Sequence, residues 1–342
     1  VTRTPHTPWR HLVVTCLGLA AALAVVVMAF LWPSVTADAQ DVPVAVVGDQ
    51  AVTDALGAAL DERAPGAFAL TPAQDRAAAV ELIESRDVYG AVVLGAEPEV
   101  LTASAASPVV AQTLAGLAPV LQAQLTAAAQ AQGVELAAPI TVAVTDVVPL
   151  STDDPRGVVL GAATFPLVLG GILGGVVIST TVVGARRRVT AVGLYAVVAG
   201  LGVTAVLQGW FGALVGPFWA DAAAVGLALL AISGVIVGFT AVVGRRGVAL
   251  GPVLFLLVAN PISASAMPVE MIASPWGAVG QWFPPGAGST LLRDLSYFPA
   301  APTAFPWLVL AGWAVLGLVL ALVGHVRDAG AATGAALAEA VD

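Results

Sequence analysis

Apolar residues fall along this chain in two patterns: long runs without a charge, and shorter stretches that alternate with polar positions at helical or strand spacing. Residues 158–183 hold no charged side chain. At about 1.5 Å per residue, a helix there is roughly 39 Å long, enough to cross a bilayer with some tilt. It runs into Arg186, Arg187 and Arg188, whose guanidiniums are costly in hydrocarbon and drawn to the cytoplasmic face, so this end reads as inside. Residues 12–32, 190–207, 222–243, 248–267 and 306–324 repeat the apolar pattern. Residues 41–150 do not: acids punctuate amphipathic stretches, and no run is long enough to span. The pattern predicts an α-helical polytopic membrane protein with six transmembrane helices and an inserted α/β extracytoplasmic domain.

The expected boundaries follow. Residues 1–11 are a cytoplasmic arm, 12–32 the first helix, 41–150 the outer domain and 158–267 helices two to five. Residues 268–305 are an outer re-entrant or interfacial segment, 306–324 the sixth helix and 325–342 a cytoplasmic tail. A cleaved signal peptide is the alternative for the first helix, since Ala37-Asp38-Ala39 has an A-x-A shape, but the apolar run exceeds the usual 7 to 15 residues. Within the outer domain, strands are expected at 42–47, 68–70, 88–94 and 140–148, and helices at 52–63, 73–86 and 107–132. That alternation predicts a mainly parallel sheet.

Composition agrees with the membrane reading. The 342 residues are 58% hydrophobic and only 10% charged, against about 25% charged in soluble domains. Of the 22 acids, 16 lie between Ala37 and Arg156, whereas eight of the 13 basic residues fall at the chain's ends or in the turns at 186–188 and 245–246. With both termini inside, all three basic clusters share the cytoplasmic side of the cytoplasmic membrane. A face for nucleic acid is not expected. Every basic residue is arginine, so a Walker A loop and a Schiff-base lysine are both excluded. The single cysteine, Cys16, has no intrachain disulfide partner.

Candidate functional residues are few. Gly170, Gly171, Gly174 and Gly175 on the second helix, and Gly234 and Gly238 on the fourth, form small-xxx-small pairs. These read as helix packing, or alternatively as a dimer or sliding surface in a transport path. Asn260, with Ser263 and Ser265, brings polar groups nearest the membrane interior beside Pro261. Trp276, Trp282 and Phe283 lie in a Pro- and aromatic-rich stretch too apolar for a solvated loop, where only Glu270, Arg293 and Asp294 are charged. It reads as a re-entrant outer gate, or as an amphipathic cap on the bundle. Arg186, Arg187, Arg188, Arg245 and Arg246 are the candidates for cytoplasmic coupling. Asp221, the one acid in a span, reads as an interfacial helix cap. No metal-ligand spacing, H-E-x-x-H or G-x-S-x-G occurs, so neither an enzyme nor a cofactor held by this chain is expected.

The layout resembles the membrane subunits of ABC-2 type transporters, in the branch with an extracytoplasmic domain between the first and second helices. The resemblance rests on Val44-Ala45-Val46-Val47, on the helix at 77–84 leading to Val88-Tyr89-Gly90-Ala91-Val92-Val93-Leu94, on the clustered spans and on the segment 260–297 before the last. It implies a homo- or heterodimer of membrane subunits in lipid, a separate ABC ATPase that binds the ATP, and export of a hydrophobic or amphipathic compound. One departure is plain: residues 184–189 form only a basic turn, where the family usually carries an amphipathic coupling stretch. The rival expectation is a non-transport envelope protein whose outer domain binds a partner.

Overall fold

The computed structural model describes residues 8–131, 138 and 140–339, with side chains to residue 324. Arg3, His6, the link at 132–137 and the last three residues lie outside the described residues, as do the side chains of His325 and Arg327. The chain is a helical membrane protein with a small mixed sheet. Among the described residues, five helical runs are long and apolar enough to cross a bilayer: Trp9–Val35, Val158–Thr181, Ala185–Trp210, Phe218–Ala259 and Ala304–Gly324.

After α1 (Trp9–Val35) the chain builds the domain expected to lie outside, the outer domain, from β1 (Val42–Val47), α2 (Gln50–Arg63), β2 (Phe68–Ala73), α3 (Arg76–Glu84), β3 (Gly90–Val93), β4 (Glu99–Thr102), α4 (Pro108–Ala115), α5 (Ala118–Ala131) and β5 (Ala143–Asp146). The sheet order is β2-β1-β3-β4-β5. Pairing is parallel throughout except between β3 and β4. Val42, Val44 and Val46 on one face of β1 and Ala45 on the other are all buried, as in an interior parallel strand covered on both sides. Pro72 sits in β2 at the sheet edge, where a missing N–H breaks no ladder.

Two expectations for this domain are corrected. β4 was absent from the sequence reading: Glu99-Val-Leu-Thr is too short to show a period, and it makes the sheet mixed. The helix expected over 107–132 is two helices. Gly116 ends α4, and Pro119 near the start of α5 cannot supply the N–H that would continue it.

Glu99 also anchors the sheet's far edge, accepting from Arg76 at 2.6 Å and from Thr145 at 2.5 Å. The Arg76 hydrogen bond holds its carboxyl below the ordinary carboxylate range despite partial burial. A depressed carboxylate stabilises the fold above its unfolded pKa and loses that contribution as pH falls through its lowered value. Protection of the β4 and β5 amides, measured against the intrinsic exchange rate at each pH, should therefore fall as pH drops below about 4, and Glu99→Gln should remove that dependence.

The membrane helices are α6 (Val158–Thr181), α7 (Ala185–Thr204, continued as a π-helix Ala205–Trp210), α8 (Phe218–Val243) and α12 (Ala304–Glu339). α8 is the central post, packed by α6, α7 and α12. Each seam closes on glycine: Gly171 and Gly175 meet Ile232 and Ile236, Gly200 meets Gly226, and Gly238 meets Gly317 and Leu320. Without a hydrophobic drive between helices in lipid, such backbone proximity supplies the dispersion contacts that hold them together. α1 stands largely apart, exposed along most of its length; it touches residues 253–259, and its Phe30 meets Phe165 of α6 with ring centroids 6.0 Å apart.

The expected fifth span, 248–267, is not a full crossing. After a 3₁₀ turn at Gly244–Arg246 the chain folds back as α9 (Gly247–Pro252) and a π-helix (Val253–Ala259), with Gly247 and Gly251 against Phe239 and Ile236 of α8. Six α-helical and seven π-helical residues reach at most about 20 Å, short of a hydrocarbon core of about 30 Å. Pro261 and the irregular backbone after Asn260 stop the helix there. α12 runs past the expected end of the last span as helix to Glu339. The turns holding Arg186–Arg188 and Arg245–Arg246 both lie at the end of the bundle remote from the sheet, where α6 and α8 terminate.

Candidate functional site: the junction of outer domain and inserted hairpin

Between the short α9 arm and α12 the chain makes an inserted hairpin. α10 (Trp276–Gly280) descends with Gly280 against the backbone of Ile262, and α11 (Pro284–Tyr297) rises again. At the tip, Phe283 tilts on Trp313 of α12 with centroids 5.6 Å apart, and Phe255 meets the same indole edge-on at 5.5 Å. Trp313 lies about 14 Å along α12 from its start at Ala304. Most of α11 is buried, including Pro284, Leu291 and Asp294. α11 packs against α8, α12 and α6.

The three charges of this segment all turn to the outer domain. Arg86 pairs with Asp294, whose side chain is 6% exposed. Arg293 donates to the carbonyls of Ala105 at 3.1 Å, Ala106 at 2.9 Å and Ser265 at 3.1 Å. Tyr89 donates to Glu270 at 2.8 Å, and the Glu270 carbonyl accepts from Gln40 at 3.1 Å. Two guanidiniums and two carboxylates thus make a charge-balanced lock between the domain and the hairpin.

Local backbone chemistry aims these groups. α3 ends in a Schellman motif: Arg86 N–H bonds Ile83 O at 3.1 Å, and Asp87 N–H bonds Leu82 O at 3.0 Å. Arg86 itself takes φ 63°, a position that favours glycine. An arginine held there at a cost of about 1 kcal/mol points to a requirement for its side chain, which also lies over Phe298 at 5.2 Å. Burial, and after it the charge of Glu270, raises the Tyr89 phenol above its ordinary range, so it stays a donor. Burial and then the neighbouring Arg86 lower Arg293 to about 10, which leaves it protonated at neutral pH. Burial raises the Asp294 carboxyl, and Arg86 opposes that shift.

The same junction fixes the bundle's outer end. Asp154 caps α6, accepting from Val158 at 3.0 Å and Val159 at 2.9 Å. Tyr297 donates to Ala213 O at 2.8 Å, and Gln208 to Gly216 O at 2.9 Å. Below the lock, a cavity of about 410 Å³ opens between Ser107, the start of α6, Met267 and Arg293. Two apolar clefts of about 550 and 620 Å³ follow the α6–α7 seam, one past Pro166 and Val203, the other past Gly174 and Leu194.

The sequence candidates separate. Gly170 and Gly174 seat the ring of Tyr195, which bonds Gly170 O at 2.7 Å, while Gly171, Gly175, Gly234 and Gly238 serve the seams on α8. These are contacts within one chain. Asn260 acts through its carbonyl, which accepts from the Ser263 hydroxyl at 2.7 Å. Trp282 meets Phe305 edge-on at 5.0 Å beside Phe283, but Trp276 stands apart, 45% exposed. Arg188 donates to Val182 O and Ser179 O at the end of α6, leaving Arg186, Arg187, Arg245 and Arg246 exposed. Asp221 is a correction: it is fully buried and its carboxylate caps nothing. Arg86 and Tyr89 were missed as site residues. The only available signal was that their possible partners, Glu270 and Arg293-Asp294, stood charged in an apolar stretch. No family model, curated protein or solved structure matches this chain.

Proposed function

We propose that the chain is the membrane subunit of an ABC-2-like exporter. It pairs with a second membrane subunit and a separate ATPase, and moves a hydrophobic or amphipathic compound outward across the cytoplasmic membrane with both termini inside. The observation that carries this reading is the inserted hairpin locked to the outer domain through Arg86–Asp294 and Arg293. A short buried helix, fastened to the outer domain by Asp294 and Arg293 and set through Phe283 on Trp313, couples that domain to the interior of the bundle, as a gate requires. The apolar α6–α7 clefts are of a size that suits a lipid-like cargo. The exposed arginines at 186, 187, 245 and 246 are the available cytoplasmic contacts.

The test is purification from native membranes followed by transport in vesicles. Stoichiometric co-purification of an ATPase and ATP-dependent efflux are expected; absence of both overturns the reading. The short cytoplasmic turns favour a second reading, an anchored outer domain that binds an envelope partner. A photo-reactive residue in place of Arg187 or Arg246 should capture the ATPase if the chain is a permease subunit. Capture only from position 52, on the outer domain, would favour the anchor.

A further inference from the structure

Where α6 leaves the outer domain, two hollows meet along one ridge. The cavity of about 410 Å³ below the lock is lined by Arg156 and Arg293, with Ser107, Leu160 and Met267 among its walls, and no carboxylate borders it. The apolar cleft of about 550 Å³ on the α6–α7 seam runs from Val158 past Pro166 to Leu167 and carries no charged residue. Val158 and Ala162, one turn apart on α6, border both hollows. Both are small and exposed, so the ridge between the hollows is low and open to the surrounding lipid. From residue 158 to residue 167 the helix rises about 14 Å, close to the depth of one leaflet, half of a hydrocarbon core of about 30 Å.

The cationic hollow is short of anions. Arg293 uses three of a guanidinium's five N–H donors, all on backbone carbonyls, and its Nε–H is not among them. Among the described residues the ion pairs are Arg76–Glu99 and Arg86–Asp294, so Arg156 has no carboxylate partner. The acids nearest to it in sequence are turned elsewhere: Asp154 caps α6, and Asp153 lies against Gly212. We propose that the two hollows together bind an acidic, phosphate-headed lipid of the bilayer. Its headgroup occupies the cavity lined by Arg156 and Arg293, and one acyl chain crosses the Val158–Ala162 ridge into the α6–α7 cleft. Guanidinium forks match phosphate oxygens, and such charge-assisted hydrogen bonds are among the stronger polar contacts. A zwitterionic headgroup brings a cation of its own to the same guanidiniums, which disfavours it. A free phosphate leaves the apolar cleft unfilled. That this lipid is also the cargo rests on the exporter reading above; the binding site itself needs no ATPase.

The test uses the delipidated full chain in a neutral detergent, with bound lipid counted by native mass spectrometry. The first phosphatidylglycerol should bind about tenfold more tightly than the first phosphatidylcholine of the same acyl chains, as one charge-assisted contact allows. Arg156→Gln should remove most of that preference. Gly202→Leu places a side chain in the cleft from a position where a Cβ meets nothing within 4 Å, and should weaken phosphatidylglycerol about tenfold. Both positions are exposed, so both variants should fold as the parent does. Glycerol phosphate, a headgroup without chains, should not displace the lipid at equal concentration. Equal binding of the two lipids, unaltered binding in both variants, or displacement by glycerol phosphate would overturn the proposal. Selective binding by a chain that shows neither a co-purifying ATPase nor efflux would support the site and overturn only the exporter reading.

Discussion

Arg86→Ala should destabilise the protein by about 3 kcal/mol, the lower end for breaking a buried pair because Arg86 is 19% exposed while Asp294 is 6% exposed. The loss is not that of an ordinary surface ion pair, worth about 0–1 kcal/mol, because the carboxylate left behind is shielded from water. The backbone should remain as it is, since Ala at φ 63° is as strained as Arg. Thermal unfolding in detergent should show the destabilisation. Hydrogen exchange should show it concentrated in α11 and in the loop bearing Tyr89. Adding Asp294→Asn to Arg86→Ala removes the stranded charge, so the double variant should be more stable than Arg86→Ala alone. If the double variant is equally damaged, the domain is held by packing on Phe298 and by Arg293, and the charge pair is incidental.

The lock also marks the limit of what sequence reading could reach. Long charge-free runs and the basic turns at 186–188 and 245–246 were legible because hydrocarbon excludes charge at every position of a span, which repeats one signal over many residues. β1 and α3 were legible for a similar reason, since each carries its period within its own length. β4 has four residues and no period. The residues at 248–267 are as apolar as a crossing helix, and only the fold-back at Gly247 and Gly251 and the stop at Pro261 shorten it. The junction joins Arg86 to Asp294 across 208 positions of chain. Composition could show that Glu270, Arg293 and Asp294 were out of place in an apolar stretch, but not which groups of the outer domain receive them. Asp221 failed for the opposite reason. Its place at a helix start fits a cap by local rules, whereas its burial is decided by α7 and α11 arriving from elsewhere.

Gly317→Ala should be strongly damaging to the α8–α12 seam. A Cβ at 317 would meet the backbone of Gly234 and Val235, and backbone atoms of a central helix have no rotamer by which to yield. α8 and α12 would have to separate, opening the seam that also contains Gly238 and Leu320. Because lipid supplies no hydrophobic drive to hold the helices together, lost dispersion contacts are not replaced. A cost of about 2–3 kcal/mol is expected, at the upper end for overpacking a core. Gly312→Ala lies one and a half turns earlier on the same helix, where a Cβ meets nothing within 4 Å, so it should be neutral or slightly stabilising through helix propensity. The comparison separates collision from any general effect of replacing glycine in α12. Detergent thermal midpoints that fall for Gly317→Ala and hold for Gly312→Ala would place the bundle's stability in the α8–α12 seam. Equal midpoints would mean that the helices slide past one another freely enough to absorb a methyl group.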